Sequence, residues 1–506
     1  MSIPMANIPA KKLKKSTSKS PDSRKKSISP SATPPEQVRR THLSPSPPYS
    51  SGPETPLSCF PKPERGGSVE EDQDRKDLIP LIKSVSPPPE HSIETIDLQY
   101  LQYWLREMPK LHPLAPVFPE FLPTLLQVSE NESQLRHSLV SLSAFVADQS
   151  NHRPMFRALL HHQETLRTVQ DSLCHSEIDE ATIYAVMMLA YFNVFTGKFL
   201  SARRHIRGLS LLLEKYSEQG HQPTPTMMLI WRCGVRIDYF LASVYPCRPV
   251  FPAPPAEQED LHRSWIRICV KKDNNGEEWA LAQFALDNLQ SRAAHLAWDA
   301  SQMRKVGGSE QKIDLACKAL LDDFTKWRLR EIFLLEDQKD SLQRFWHPEL
   351  LIDPQKSFLG HQPLITGNAF YACMLNEYRS AVLFVTFIAS PVIGAPSAYD
   401  GIRMSHAIDA CRCVGAMGET SLPVPLVRIL QLAGLVFATR ERYPAECAWI
   451  EGQLDILKDR GVVGADKVKE MLQVVWKNER TWRYDETERM IQNEEDLAAI
   501  GAEESV

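Results

Sequence analysis

The sequence predicts an all-α protein: one large multi-helix domain preceded by a disordered N-terminal arm. Three observations predict it. Residues 177–216 read as two helices around one glycine turn, the first apolar on almost every side. Helical spacing of apolar residues then recurs from about residue 95 to 478, while strand signals are few. Residues 1–92 are instead dominated by Pro, Ser, Lys and Arg, with large apolar side chains scarce. Such a segment cannot bury enough surface to offset the entropy of ordering it.

In the helical pair, Asp179 suits an N-cap, because its carboxylate can accept from an orphan backbone N–H. Ile183, Ala185, Val186, Met187, Met188, Leu189, Ala190, Phe192 and Val194 follow. A helix apolar all round is buried all round. Gly197 supplies the left-handed backbone that stops it. The second helix is amphipathic from about Leu200. Ala202, Ile206, Leu209, Leu212, Leu213 and Tyr216 share one face, with Arg203, Arg204 and Arg207 off it.

Taken in order, the arm (residues 1–92) is basic first and acidic later. Lys11, Lys12, Lys14 and Lys15, then Arg24, Lys25 and Lys26, form two clusters; acids wait until Glu70, Glu71, Asp72 and Asp74. Both clusters are candidates for nuclear import or weak phosphate contact, and the alternative is a solvated tail. Ser-Pro and Thr-Pro steps such as Ser20-Pro21 and Thr55-Pro56 are candidate phosphorylation sites, where each phosphate would add about −1.5 to −2 charges.

The helical domain is expected over residues 93–480. A short helix through Leu98–Leu105 should stop before Pro109. Further helices are expected at Phe121–Gln127, Ser133–Ala147, Arg153–Cys174, Ala181–Phe195, Leu200–Tyr216, Met227–Val244 and Trp279–Met303. Ile313–Leu329 should bury Leu315, Ala319, Phe324 and Trp327. Ala369–Ala389, Tyr399–Met417, Pro423–Tyr443, Glu446–Arg460 and Ala465–Asn478 complete the set. One strand candidate, Trp265–Val270, has no second strand to pair with. Residues 481–506 form an acidic tail, which should fray from Asp485.

Composition narrows the class. Over 506 residues the formal net charge is −5, so the chain as a whole is not a basic nucleic-acid binder. Ten cysteines without framework spacing fit reduced thiols inside a cell. The first ten residues lack the apolar core of a secretory signal. Apolar stretches at Ala181–Phe195, Ala381–Ser390 and Ile429–Thr439 fall short of the ~20 residues a membrane span needs, so no membrane partner is expected.

Asp179, the buried apolar helix, Gly197, His205, Gly208 and the leucines after it together resemble the fungal-specific transcription factor domain. Tyr103-Trp104, Pro113, Pro116 and Leu135–Val146 resemble its start. Leu426–Ala438, Trp449-Ile450, Leu454, Leu457 and Trp476 resemble its end, so the likeness covers residues 95 to 480. One departure is Ala202, where an aromatic is expected three residues before His205. The resemblance implies an all-helical regulatory region, usually found behind a six-cysteine zinc cluster. It implies a transcription regulator in a fungal nucleus, controlling a metabolic or secondary-metabolite gene cluster. Other regulators or coregulators are the expected partners, with a homo- or hetero-dimer possible. A helical scaffold with no genomic role is the alternative.

The zinc cluster itself is missing from the sequence. Ahead of residue 170 there is one cysteine, Cys59, and six packed thiolates are needed. Cys411 and Cys413 are two apart on a helix and face different ways. A gene start set too far downstream explains the gap equally well. No metal and no cofactor are therefore expected, and DNA should be reached only indirectly or non-specifically. His161-His162-Gln163-Glu164 lacks the two histidines four apart of a zincin and reads as a partly exposed face. His205 reads as a helix-contact histidine. No phosphate-cradling glycine loop or nucleophile elbow occurs, so no catalytic residue is assigned and the chain reads as no enzyme. No ligand-binding residue is identified.

Overall fold

The computed structural model describes residues 90–111, 118, 120–151, 153–174, 178–221, 224–244, 247–252, 276–332, 358–360, 369–417, 423–438, 442–459, 462, 464–478 and 481–491. All belong to the unit Pro87–Val506. The unit Met1–Ser86 and the strand candidate Trp265–Val270 lie outside the described residues. Fifteen α-helices occur among those described: α1 (Glu90–Leu111), α2 (Phe121–Ser129), α3 (Ser133–Ser150), α4 (Phe156–Leu173), α5 (Glu180–Phe195), α6 (Phe199–Glu218), α7 (Pro225–Val244), α8 (Gly276–Lys305), α9 (Glu310–Trp327), α10 (Ala369–Ala389), α11 (Asp400–Met417), α12 (Pro423–Val436), α13 (Pro444–Asp459), α14 (Ala465–Lys477) and α15 (Tyr484–Ile491). The fold is all-α.

The centre forms for the reason the sequence gives. Asp179 caps α5 by accepting from the Thr182 N–H at 2.5 Å. Fourteen of its sixteen residues are buried, and Gly197 turns the chain at φ 71°. α3, α4, α6 and α7 surround it. One contiguous apolar cluster then runs from Trp104 to Tyr484, with a residue from every helix. α10 is long and apolar enough to cross a membrane, yet its window is 83% buried inside the body, as a core helix's is.

Five expectations need correction. α1 starts at Glu90, inside the predicted arm, and runs past Pro109 to Leu111. A proline in the last turn forfeits only its own bond and leaves the ladder before it intact. On α9 the buried stripe is Ile313, Cys317, Leu320, Phe324 and Trp327, while Leu315 is 60% exposed and Ala319 is exposed too. Starting the stripe at Leu315 rather than Ile313 swings it about 200° around the helix. α9 ends at Trp327 and passes into a π turn, Arg328–Ile332. α12 ends at Val436, short of Tyr443; Tyr443 precedes Pro444 and is steered away from helical backbone. The tail is held as far as Ile491: Trp482 and Tyr484 are buried, and the Tyr484 ring stacks on Phe387 at 5.1 Å. There β1 (Val392–Ile393) pairs antiparallel with β2 (Trp482–Arg483), Ile393 opposite Trp482.

Candidate functional site

The import candidates Lys11, Lys12, Lys14, Lys15, Arg24, Lys25 and Lys26 lie outside the described residues. The arginine face on α6 is smaller than expected. Arg204 and Arg207 are exposed, but Arg203 is buried and its Nη2 donates to the Arg248 carbonyl at 3.5 Å. One helical step beside Ala202 puts it at the edge of the apolar stripe, where a long side chain follows the core wall.

The histidines on α4 are also deeper than expected. His161 is buried: its Nδ1 shares a hydrogen bond with His137 Nδ1 at 2.9 Å, and its Nε2 lies 3.2 Å from Asp97 on α1. The His162 ring stacks on Phe192 at 4.3 Å, and burial pushes its pKa down to about 3, helped by His205. His205 is half-buried and pushed down to about 4, first by burial and then by Arg204. The His162 and His205 rings, held neutral and packed between helices, act as contacts. Cys411 and Cys413 are both fully buried, and burial raises the Cys413 thiol to about 11 and the Cys411 thiol further. Among the described residues, no three His, Cys, Asp or Glu groups converge for a metal.

The most concentrated chemistry is a buried polar network where α7, α8 and α10 meet. Arg232 and Arg236 are four apart on α7, so they share one face. Arg232 Nη2 donates to Asp287 Oδ2 at 2.6 Å, and its guanidinium lies over the Phe284 ring at 4.1 Å. Arg236 reaches Asp287 Oδ1 at 3.5 Å and donates to Glu377 on α10. Gln283 bridges the two acids, at 2.9 Å from Asp287 and 3.0 Å from Glu377. Burial raises the Glu377 pKa, opposed by Arg236. Burial also works against the Arg236 charge, but Glu377 and Asp287 outweigh it. Two cations and two acids thus neutralise one another, and the arrangement fixes three helices rather than offering a reacting atom. Sequence reading missed it. The available signal was the charged residues inside two otherwise apolar helices, Arg232, Arg236 and Asp238 on α7 and Glu377 and Arg379 on α10, since such residues are almost never buried unless paired.

A model of the fungal specific transcription factor domain matches residues 99–269, about a third of the chain. Those residues are similar to the fungal specific transcription factor domain, and that name is used below for the matched stretch. No curated protein and no solved structure matches the chain. The transcription factor domain spans the rest of α1 from residue 99, all of α2 to α7, and the chain up to residue 269. The downstream features from Leu426 to Trp476 lie beyond the matched residues, in helices that share the same core.

Arg232 and Arg236 lie inside the transcription factor domain, and Asp287 and Glu377 lie outside it. The network therefore clamps the domain to the helices that follow. Two further arginines stabilise the C-terminus of α10. Arg403 donates to the carbonyls of Thr386, at 2.8 Å, and Ser390, while Arg304 donates to that of Ile388 at 2.7 Å. Cations there meet the negative end of the helix dipole.

Within the transcription factor domain, Asp238 pins the loop after α7. Its Oδ2 accepts from the Val250 and Phe251 N–H groups, both at 2.8 Å. Burial nevertheless pushes its pKa up to about 6. The folded state therefore holds a proton that the unfolded chain releases near pH 4. Stability from this group is full below that and falls as pH rises to about 6, by up to about 3 kcal/mol. Asp238→Asn keeps an oxygen for both donors and carries no charge. Its stability relative to the parent should rise from pH 4 to pH 7 in denaturant melts. A pH-independent difference would show that the carboxyl ionises freely in the fold.

Proposed function

We propose that this chain is a transcription regulator of a fungal nucleus whose helical body binds other regulators or coregulators. The match on residues 99–269 carries the reading, because it falls on α1 to α7, the half of the body built around α5. DNA is reached through a partner, or non-specifically through the basic arm. Control of a metabolic or secondary-metabolite gene cluster belongs to the same reading. The test is a fusion of the full chain to an unrelated DNA-binding domain, placed upstream of a reporter gene. Reporter output should change several-fold in either direction. An unchanged reporter, with the fusion occupying its site, would favour a scaffold without a genomic role.

Nuclear entry is assigned to the arm. Replacing Lys11, Lys12, Lys14, Lys15, Arg24, Lys25 and Lys26 with Ala should move a fluorescent fusion into the cytoplasm. The same variant should lose salt-sensitive binding to random duplexes, since each phosphate contact owes its strength to released counterions. Full nuclear retention would remove the arm from the import route.

A further inference from the structure

Positive charge collects where α9, α10 and α11 meet. Arg328 opens the π turn at the end of α9, an irregularity that recurs at functional sites. It donates a hydrogen bond to the Tyr378 hydroxyl on α10. Next to Tyr378, Arg379 is 2% exposed, yet its Nε has no hydrogen-bond partner among the described residues. His406 on α11 lies against the Tyr378 ring at 5.6 Å, and its buried Nδ1 also lacks a partner there. Buried polar atoms left in this state are rare and costly.

The charges here do not balance. Arg379 Nη1 meets Asp409 Oδ2 at 2.7 Å, but the other oxygen of Asp409 is taken by Arg412 at 3.2 Å. Arg328 meets a hydroxyl in place of a carboxylate. The charges that act on the His406 ring, from Arg379 and Arg328, are both positive. Burial first, and then those two cations, push its pKa down to about 3 and hold it neutral. The same two cations oppose the burial that raises the Tyr378 pKa. Where α7, α8 and α10 meet, two acids answer two cations; in this corner the matching negative charge is missing.

We propose that Arg328, Tyr378, Arg379 and His406 bind a small-molecule oxyanion, the carboxylate or phosphate group of a metabolite. Guanidiniums pair with both groups through charge-assisted hydrogen bonds. Arginine only donates, so the Tyr378 oxygen accepts from Arg328 and its O–H is left for the anion. A neutral imidazole carries one N–H, and the anion selects the tautomer that places it on Nδ1. The frame is set in advance: the Tyr378 ring stacks on Trp327 at 5.3 Å, and Trp327 Nε1 donates to the Ala282 carbonyl at 2.9 Å. Arg328 is exposed and His406 half-buried, so the anion enters from that side, and the depth of Arg379 admits only a small group. All four residues lie outside the matched residues 99–269, and the site does not depend on what the chain regulates.

The test is the thermal melt of the purified full chain, titrated at constant ionic strength with inorganic phosphate, succinate or chloride. Phosphate or succinate, at about 10 mM, should raise the melting temperature by about 2 °C over chloride. The larger rise identifies the group the site prefers. Arg328→Gln, a change on an exposed side chain, should erase the rise. Tyr378→Phe keeps the ring stacking and should weaken binding about tenfold. Arg204→Gln, exposed on α6, should keep the rise in full. No rise with either anion overturns the proposal. So does an equal rise in the Arg328→Gln variant, which would be a general salt effect on burial. Unchanged binding in Tyr378→Phe overturns the part given to the hydroxyl.

Discussion

Leu209→Asp is expected to abolish the cooperative melt of the helical body. Leu209 is fully buried on α6. A Cβ on Gly234 of α7 would stand 3.0 Å from its Cδ2 and 3.0 Å from the Phe251 ring. The bare glycine is what lets α6 and α7 approach so closely, and no free volume remains to swing a carboxylate out to water. The change removes a buried leucine, which costs about 2–5 kcal/mol for truncation alone. It adds an unpaired charge or a forced protonation, several kcal/mol more. Their sum rivals the whole stability of a typical domain, ~5–15 kcal/mol. Leu211→Asp, two residues on and 61% exposed, is the control and should melt like the parent. Equal melts for both variants would mean that α6 buries a different face.

The second large effect is expected at Asp287. Asp287→Ala leaves Arg232 and Arg236 facing Glu377 alone, with one buried cation uncompensated. Breaking a buried pair in this way costs about 3–5 kcal/mol, whereas exchanging both partners for apolar groups is often neutral. Arg232→Met combined with Asp287→Leu should therefore recover much of the loss. A double-mutant cycle in urea reads the coupling, expected at more than about 1 kcal/mol. Additive single changes would show that the network is not a unit.

Element positions were largely legible in the sequence, because long apolar runs admit few alternatives. The α10 bounds, Ala369–Ala389, are those expected, and α5 differs by one residue at its start. Faces were less legible. On α9 both Ile313 and Leu315 are apolar, and only the packing partner decides which turns inward. Arg203 reads as solvent-facing by charge, yet its long side chain reaches the Arg248 carbonyl. The polar network was hardest, because its members come from positions 232 to 377 and no local spacing links them. The basic clusters of the arm are plain in the sequence, but they lie outside the described residues.

The arrangement around α5 also bears on how the chain is made. Its wrapping helices, α3, α4, α6 and α7, all come from residues 133–244. The centre of the body can therefore close during translation, with short chain loops, before residue 276 has been added. At that moment the outer side of α7 still awaits α8 and α10. Arg232 and Arg236 stand on that side, and in the unfinished chain they are hydrated rather than desolvated. Two charges that are paired in the finished core would keep its nascent half from sticking to neighbouring chains, until Asp287 and Glu377 arrive to neutralise them.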